Sequence, residues 1–305
     1  MIASFGAVYL IWGSTYLAIA YAIASFAPWG LSSLRFIVAG LLMWGIARLR
    51  NETALTGPER RDAALSGTLL VIANGLVCVA ERWIPSGIAA VVIGAMPIWI
   101  LLLGWVAFSG PRPTAQRWLG ALVGLAGIAL IATEHSGLAV AGPFGSFSVL
   151  ILFASNWLWV GGTFVQRRSA GLKSSFRYSA TQMLCGAVLA GALSLTFESP
   201  WHGRWAAVSA SSWAALAYLI VFGSVIGFSA YGWLARNVEP HRVSTYALVN
   251  PVIAVGLGWS FRGERVTLNF LFATLLVLLG LVLLSAGEMT RAWRGRGPTE
   301  PRLPS

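Results

Sequence analysis

Ten long apolar stretches, separated by short segments that collect nearly all of the charge, dominate this sequence. They run over residues 5–25, 29–49, 65–80, 84–108, 118–133, 145–165, 178–197, 213–235, 243–261 and 268–286. In hydrocarbon every backbone N–H and C=O has to be bonded within its own segment, so stretches of this length are expected to cross a bilayer as α-helices. Composition agrees, with 57% of the 305 residues hydrophobic and 10% charged, against roughly 25% charged in soluble domains. Ten crossings use the length and leave no room for a separate soluble domain. The expected fold class is an all-α integral membrane protein. MIASFGAVYL at the start lacks a basic leader segment and is expected to remain as part of the first helix.

The formal net charge of +11 would point to nucleic acid in a soluble protein. Its distribution points elsewhere. With the first residue in the cytoplasm, sixteen of the 21 basic residues fall in cytoplasmic connections and the tail, and only Arg82, Arg204, Arg262 and Arg265 fall outside. Arg35 lies within the second stretch. The positive-inside rule then puts both termini in the cytoplasm of a bacterial inner-membrane protein, with residues 287–305 as a disordered basic tail. No nucleic-acid partner is expected. Cys78 and Cys185 lie in separate apolar stretches, and His135, His202 and His241 lie in connections. No stretch holds a pair of acids, so no metal, cofactor or enzymatic chemistry is expected.

The two halves repeat one another. Met96-Pro97 in IAAVVIGAMPIWILLLGW aligns with Asn250-Pro251 in VSTYALVNPVIAVGLGW, and RPTAQRWLGALVGLAGIALI aligns with RVTLNFLFATLLVLLGLVLL. Each half, residues 5–134 and 145–286, then holds five crossings. An odd number forces the second half to run opposite to the first, which predicts an inverted repeat with a solute site between the halves near midplane.

YLIWGSTYLAI, LRFIVAGLLM, ANGLVCVAERWIPSGIAAVV, the Met96-Pro97 pair and GERVT at 263–267 resemble the EamA family of the drug/metabolite transporter superfamily, in a wording close to its YedA-like and RhaT-like exporters. The resemblance covers residues 5–286. It implies ten transmembrane helices in two inverted five-helix EamA repeats, cytoplasmic termini and export of small metabolites such as amino acids or amphiphilic compounds. One departure stands out: the counterpart of GERVT in the first half reads SGPRPT, so a role for that loop acid falls to Glu264 alone, where the start of a helix is the simpler reading.

Candidate transport residues follow from what a hydrocarbon interior tolerates. Pro97 and Pro251 each remove a helix hydrogen bond at matched positions and are candidate hinges. Polar residues in mid-span need a neighbour, a water or a solute. The expected pathway set is Ser14, Thr15, Tyr16, Asn74, Asn156, Tyr231, Tyr246 and Asn250, together with the deep tryptophans Trp12, Trp99, Trp157 and Trp159. Interhelical bonding and core packing are the competing roles for each. Arg35 and Glu81 are the coupling candidates: Arg35 as the one ionisable residue deep in a span, where snorkelling is the alternative, and Glu81 as the acid nearest the path, where pairing with Arg82 is the alternative.

These features predict a secondary active transporter that exports a small metabolite, an amino acid or an amphiphilic drug-like solute, by alternating access with proton coupling. A passive uniporter or channel, or an uptake carrier for a small polar solute, is the alternative. The partners expected are a small-molecule solute, the lipid bilayer and protons. Monomer and homodimer both fit the pattern. A nearly uncharged interior favours a neutral or zwitterionic solute.

Overall fold

In the computed structural model, residues 1–107, 112–133, 143–169, 174–198, 208–238, 243 and 246–293 are described, and no strand occurs among them. The helices are α1 (Ile2–Ala22), α2 (Pro28–Leu49), α3 (Gly57–Ala80), α4 (Ser86–Gly94), α5 (Met96–Ala107), α6 (Ala115–Thr133), α7 (Pro143–Arg167) and α8 (Ser175–Phe197). They continue with α9 (Ala210–Tyr218), a π-helical segment (Leu219–Ile226), α10 (Gly227–Asn237), α11 (Tyr246–Arg262) and α12 (Leu268–Trp293). α4 and α5 form one rod broken at Ala95, and α9 continues through the π-segment into α10, so the described helices make ten rods. Seven of these are long and apolar enough to cross a membrane, while α6 and α12 contribute shorter apolar runs at Ala115–Leu130 and Leu268–Gly280.

Helix starts are written locally where the chain turns. Thr56 and Glu59 close a capping box on α3, and the Ser209 hydroxyl accepts from the backbone N–H of Ser212 at the start of α9. Two other starts are capped from a distance. Glu52, just past α2, accepts from the N–H groups of Phe176 and Arg177 at the start of α8, at 3.2 and 2.8 Å. Glu198, just past α8, accepts from the N–H groups of Trp29 and Gly30 at the start of α2, at 2.8 and 2.9 Å. The two helices pack antiparallel along their length, and each ends in the acid that starts the other. A carboxylate at such an N-terminus satisfies orphan donors and meets the positive end of the helix dipole.

α6 pairs with α12 in the same intimate way. A side chain at Gly280 would meet the Gly120 carbonyl and the Gly124 nitrogen at 2.6 Å. The small-residue face of α6 is thus spent inside the fold.

Two helix ends fall elsewhere than the apolar runs alone suggest. The break in the fourth rod comes at Ala95, so Pro97 sits in the first turn of α5, where its missing N–H has no partner to lose, rather than kinking a continuous helix. Pro251 does lie inside a continuous helix, α11. The last helix also runs past residue 286 to Trp293, because a lone glycine, Gly287, weakens a helix without ending it and no proline follows before Pro298. The rest of the expected tail, residues 294–305, lies outside the described residues.

Candidate functional site: a cavity walled by both halves

The ends of α1 define two sides of the bundle, an Ile2 side and an Ala22 side. Near the middle, α1, α2, α3 and α4 of the first half face α7, α10 and α11 of the second across a narrow cavity of about 60 Å³, room for a few water molecules. Trp12, Thr15 and Tyr16 reach it from α1, Arg35 from α2 and Asn74 from α3. Ser155 and Trp159 reach it from α7, Phe228 from α10, and Tyr246 and Asn250 from α11.

Aromatic rings close the cavity toward the Ile2 side. The Trp12 ring lies 5.3 Å from Trp159, 4.8 Å from Tyr231, 5.6 Å from Tyr246 and 6.0 Å from Phe228. Each polar tip in this cluster has found a partner, as buried aromatic donors require. The Trp12 indole donates to the Gly223 carbonyl at 3.3 Å, and the Trp159 indole donates to the Tyr231 hydroxyl at 3.3 Å. Tyr231 also shares a hydrogen bond with Thr163 at 2.9 Å, and the Tyr246 hydroxyl donates to the Met96 sulfur at 3.1 Å. Beyond the rings a second cavity of about 40 Å³ opens among Ile100, Thr163, Arg167, Ala235 and Val243, and Tyr246 lines both. The cluster is a plug between two spaces.

Arg35 is 2% exposed, so it does not snorkel to a surface. Its Nε donates to the Ser224 hydroxyl at 2.8 Å and its Nη1 to the Asn74 amide oxygen at 3.0 Å. The other guanidinium nitrogen passes over Gly223, where a side-chain carbon would stand 2.9 Å from Nη2. Gly223 and Ser224 belong to the π-helical segment, whose wider turn sets this backbone against both Trp12 and Arg35.

Toward the Ala22 side, Glu81 follows the last residue of α3 and is buried, with neither oxygen hydrogen-bonded among the described residues. The expected pairing with its neighbour Arg82 is not formed; Arg82 is exposed. Burial holds the Glu81 carboxyl well above the usual range, the negative Glu264 nearby adds to this, and Arg262 opposes it. Glu264 itself caps α4, accepting from the Ser86 N–H at 3.0 Å, the Ser86 hydroxyl at 2.6 Å and the Gly87 N–H at 3.1 Å. It serves a helix start in the opposite half of the chain.

Of the residues singled out from sequence, Trp12, Thr15, Tyr16, Arg35, Asn74, Trp159, Tyr246 and Asn250 come together at the first cavity, and Tyr231 joins the plug. Four do not. Ser14 bonds the carbonyls of Leu10 and Ile11 and the Tyr218 hydroxyl. Asn156 donates to the Val92 carbonyl at 3.1 Å, next to the break in the fourth rod. Trp99 packs against Phe153 and Trp157, and Trp157 is 51% exposed on the outer surface of the bundle. Their depth along the sequence is as expected, but helix rotation turns them away. Sequence reasoning missed Ser155, Phe228, Gly223 and Ser224; the small and polar residues interrupting FGSVIGF at 222–228 were the available signal.

Comparison with known proteins places this architecture. The sequence pattern of the EamA-like transporter family matches residues 2–133 and again residues 146–286. The uncharacterized inner membrane transporter YedA of Escherichia coli (strain K12) is 35% identical over 286 residues, covering 92% of this chain and 89% of its own. Protein PagO of Salmonella typhimurium is 24% identical over 276 residues, covering 90% of this chain and 89% of its own. A solved crystal structure superposes with a TM-score of 0.66 at 20% identity, covering 93% of this chain and 96% of that one, a likeness of fold alone. The chain belongs to the EamA-like transporter family of the drug/metabolite transporter superfamily.

Proposed function

We propose that the chain is a secondary active exporter of a small amphiphilic metabolite or amino acid in the bacterial inner membrane, working by alternating access between two inverted repeats, 5–134 and 145–286. The observation that carries this reading is the aromatic plug between two cavities, with Trp12 from the first half seated among Trp159, Tyr231 and Tyr246 from the second. Rocking one half against the other opens one cavity as the other closes. The reciprocal caps of Glu52 on α8 and Glu198 on α2 support a two-fold relation between the halves. The family pattern, which matches twice, supports it too.

Cytoplasmic termini follow from the excess of arginine on the Ile2 side. The inner-membrane assignment leans on the likeness to the inner membrane transporter YedA of Escherichia coli. Glu81 is the proposed proton carrier, since a buried carboxyl without a hydrogen-bond partner is held ready to exchange a proton as its surroundings open. A resistance screen with the overexpressed gene against amino acids and amphiphilic toxins identifies a solute. Counterflow of that labelled solute in proteoliposomes then tests the mechanism, because a carrier exchanges and a channel does not. Absence of counterflow while the solute still equilibrates would overturn the carrier reading.

A further inference from the structure

The charge in the first cavity is unbalanced. Among its described lining residues Arg35 is the only ionised side chain; the rest are aromatic, aliphatic, hydroxyl or amide groups. Both hydrogen-bond partners of the guanidinium, Ser224 and Asn74, are neutral. A guanidinium carries five N–H donors, and two are engaged. The Phe36 ring, 4.8 Å from the guanidinium carbon, offsets part of the cost of a cation removed from water without a counter-ion, and the group that relieves the rest is an anion able to take the remaining donors.

The walls limit which anion. One guanidinium with no second cation suits a single negative charge, and its planar fork matches a carboxylate in two parallel hydrogen bonds. No acid lines the cavity to receive an ammonium group. Apolar and aromatic surfaces at Ile19, Val77, Ile93 and Trp12 suit a hydrophobic body beside the charge once rocking of the two halves widens a space that here holds only a few waters. Asn250 also lines the cavity, and its amide oxygen is buried with no partner, so it can accept from a hydroxyl elsewhere on the solute.

We propose that Arg35 is the anchor for the carboxylate of an organic monoanion with an apolar or aromatic body, and that the cavity selects such anions over zwitterions, amines and neutral amides. This deepens the transport reading, keeping its amphiphilic metabolite and setting aside its amino acid, and rests on it for the passage of the solute, whereas the binding preference can be measured without transport. It also replaces the neutral or zwitterionic solute expected from the sparse charge of the spans.

Four probes of similar size test it: 3-phenylpropanoate, 3-phenylpropanamide, 3-phenylpropylamine and the zwitterion phenylalanine, titrated against the purified full-length protein in nanodiscs by tryptophan fluorescence and calorimetry. The acid is expected to bind at least about tenfold tighter than the other three, the scale of charge-assisted hydrogen bonds. Arg35→Gln should abolish the difference and Arg35→Lys should keep part of it. Should Arg35→Gln fail to fold, Gly223→Ala provides a second route, since its added carbon displaces the guanidinium and should shrink the preference for the acid. Equal binding of acid and amide, tighter binding of the amine, no measurable binding of the acid, or a preference that survives Arg35→Gln would each overturn the proposal. None of these results touches the transport reading, which stands or falls on counterflow of the screened solute.

Discussion

The indole N–H of Trp12 donates to the carbonyl of Gly223 at 3.3 Å, joining residues 211 positions apart in the chain and tying α1 of the first half to the π-helical segment of the second. In hydrocarbon such a bond satisfies two groups at once, and the four rings around Trp12 hold it in place. Trp12→Phe keeps most of the ring contacts and removes the donor, leaving the Gly223 carbonyl unpaired at a cost of about 1–3 kcal/mol. Membrane insertion should stay near normal while counterflow falls roughly tenfold. Undiminished exchange would show that this bond plays no part in the cycle.

The two prolines should part company. Pro251 lies inside α11 and denies a partner to the carbonyl four residues earlier, whereas Pro97 opens α5 after a break already made at Ala95. Pro251→Ala should raise thermal stability, by as much as about 3 kcal/mol for an interior proline, and lower turnover by stiffening the helix. Pro97→Ala should change either property far less. Unfolding in detergent and counterflow in liposomes check the pair, and the reverse ranking would mean that the hinge is the break at Ala95.

Glu81 gives a dependence on pH whose sign is fixed by its surroundings. Burial first, and the negative Glu264 second, favour its protonated form in the folded protein. A carboxyl raised in this way contributes stability that is fully present below its unfolded value near 4.5 and is lost as pH rises through its folded value. Glu81→Gln should therefore flatten the fall of melting temperature with rising pH and should abolish the response of transport to an imposed pH gradient. A transport response that persists in Glu81→Gln would move coupling to another group.

Much of the bundle was legible because it follows from solvent. Apolar length marked the ten rods, and the repeated Met96-Pro97 and Asn250-Pro251 segments marked the matched helices. Eight of the pathway and coupling candidates meet at one cavity because a polar atom in hydrocarbon has to be satisfied somewhere central. What sequence depth lacks is helix rotation, which turned Trp157 to the surface and set Asn156 on a backbone carbonyl. Nor does spacing reveal a partner in the other half: the reciprocal caps of Glu52 and Glu198 and the reach of Glu264 to α4 depend on tertiary contact.

Those caps make their own prediction. Glu52→Ala and Glu198→Ala each remove two charge-assisted bonds from a helix start, and each should destabilise by about 1–2 kcal/mol. The sites lie at opposite ends of the α2–α8 pair, so the double variant should show the sum within about 0.5 kcal/mol. Chemical unfolding in detergent measures all three. A marked departure from additivity would show that the two ends of the pair are coupled.

The central claim is that the two cavities open in turn across the plug. Val77 lines the cavity on the Ala22 side and Ala235 the cavity on the Ile2 side. In a background with Cys78→Ala and Cys185→Ala, the single replacements Val77→Cys and Ala235→Cys report each space by the rate of labelling with a membrane-impermeant maleimide in nanodiscs. As the solute identified by the screen is added, one position should label faster and the other more slowly. Simultaneous acceleration at both positions would reveal a continuous pore and contradict the account.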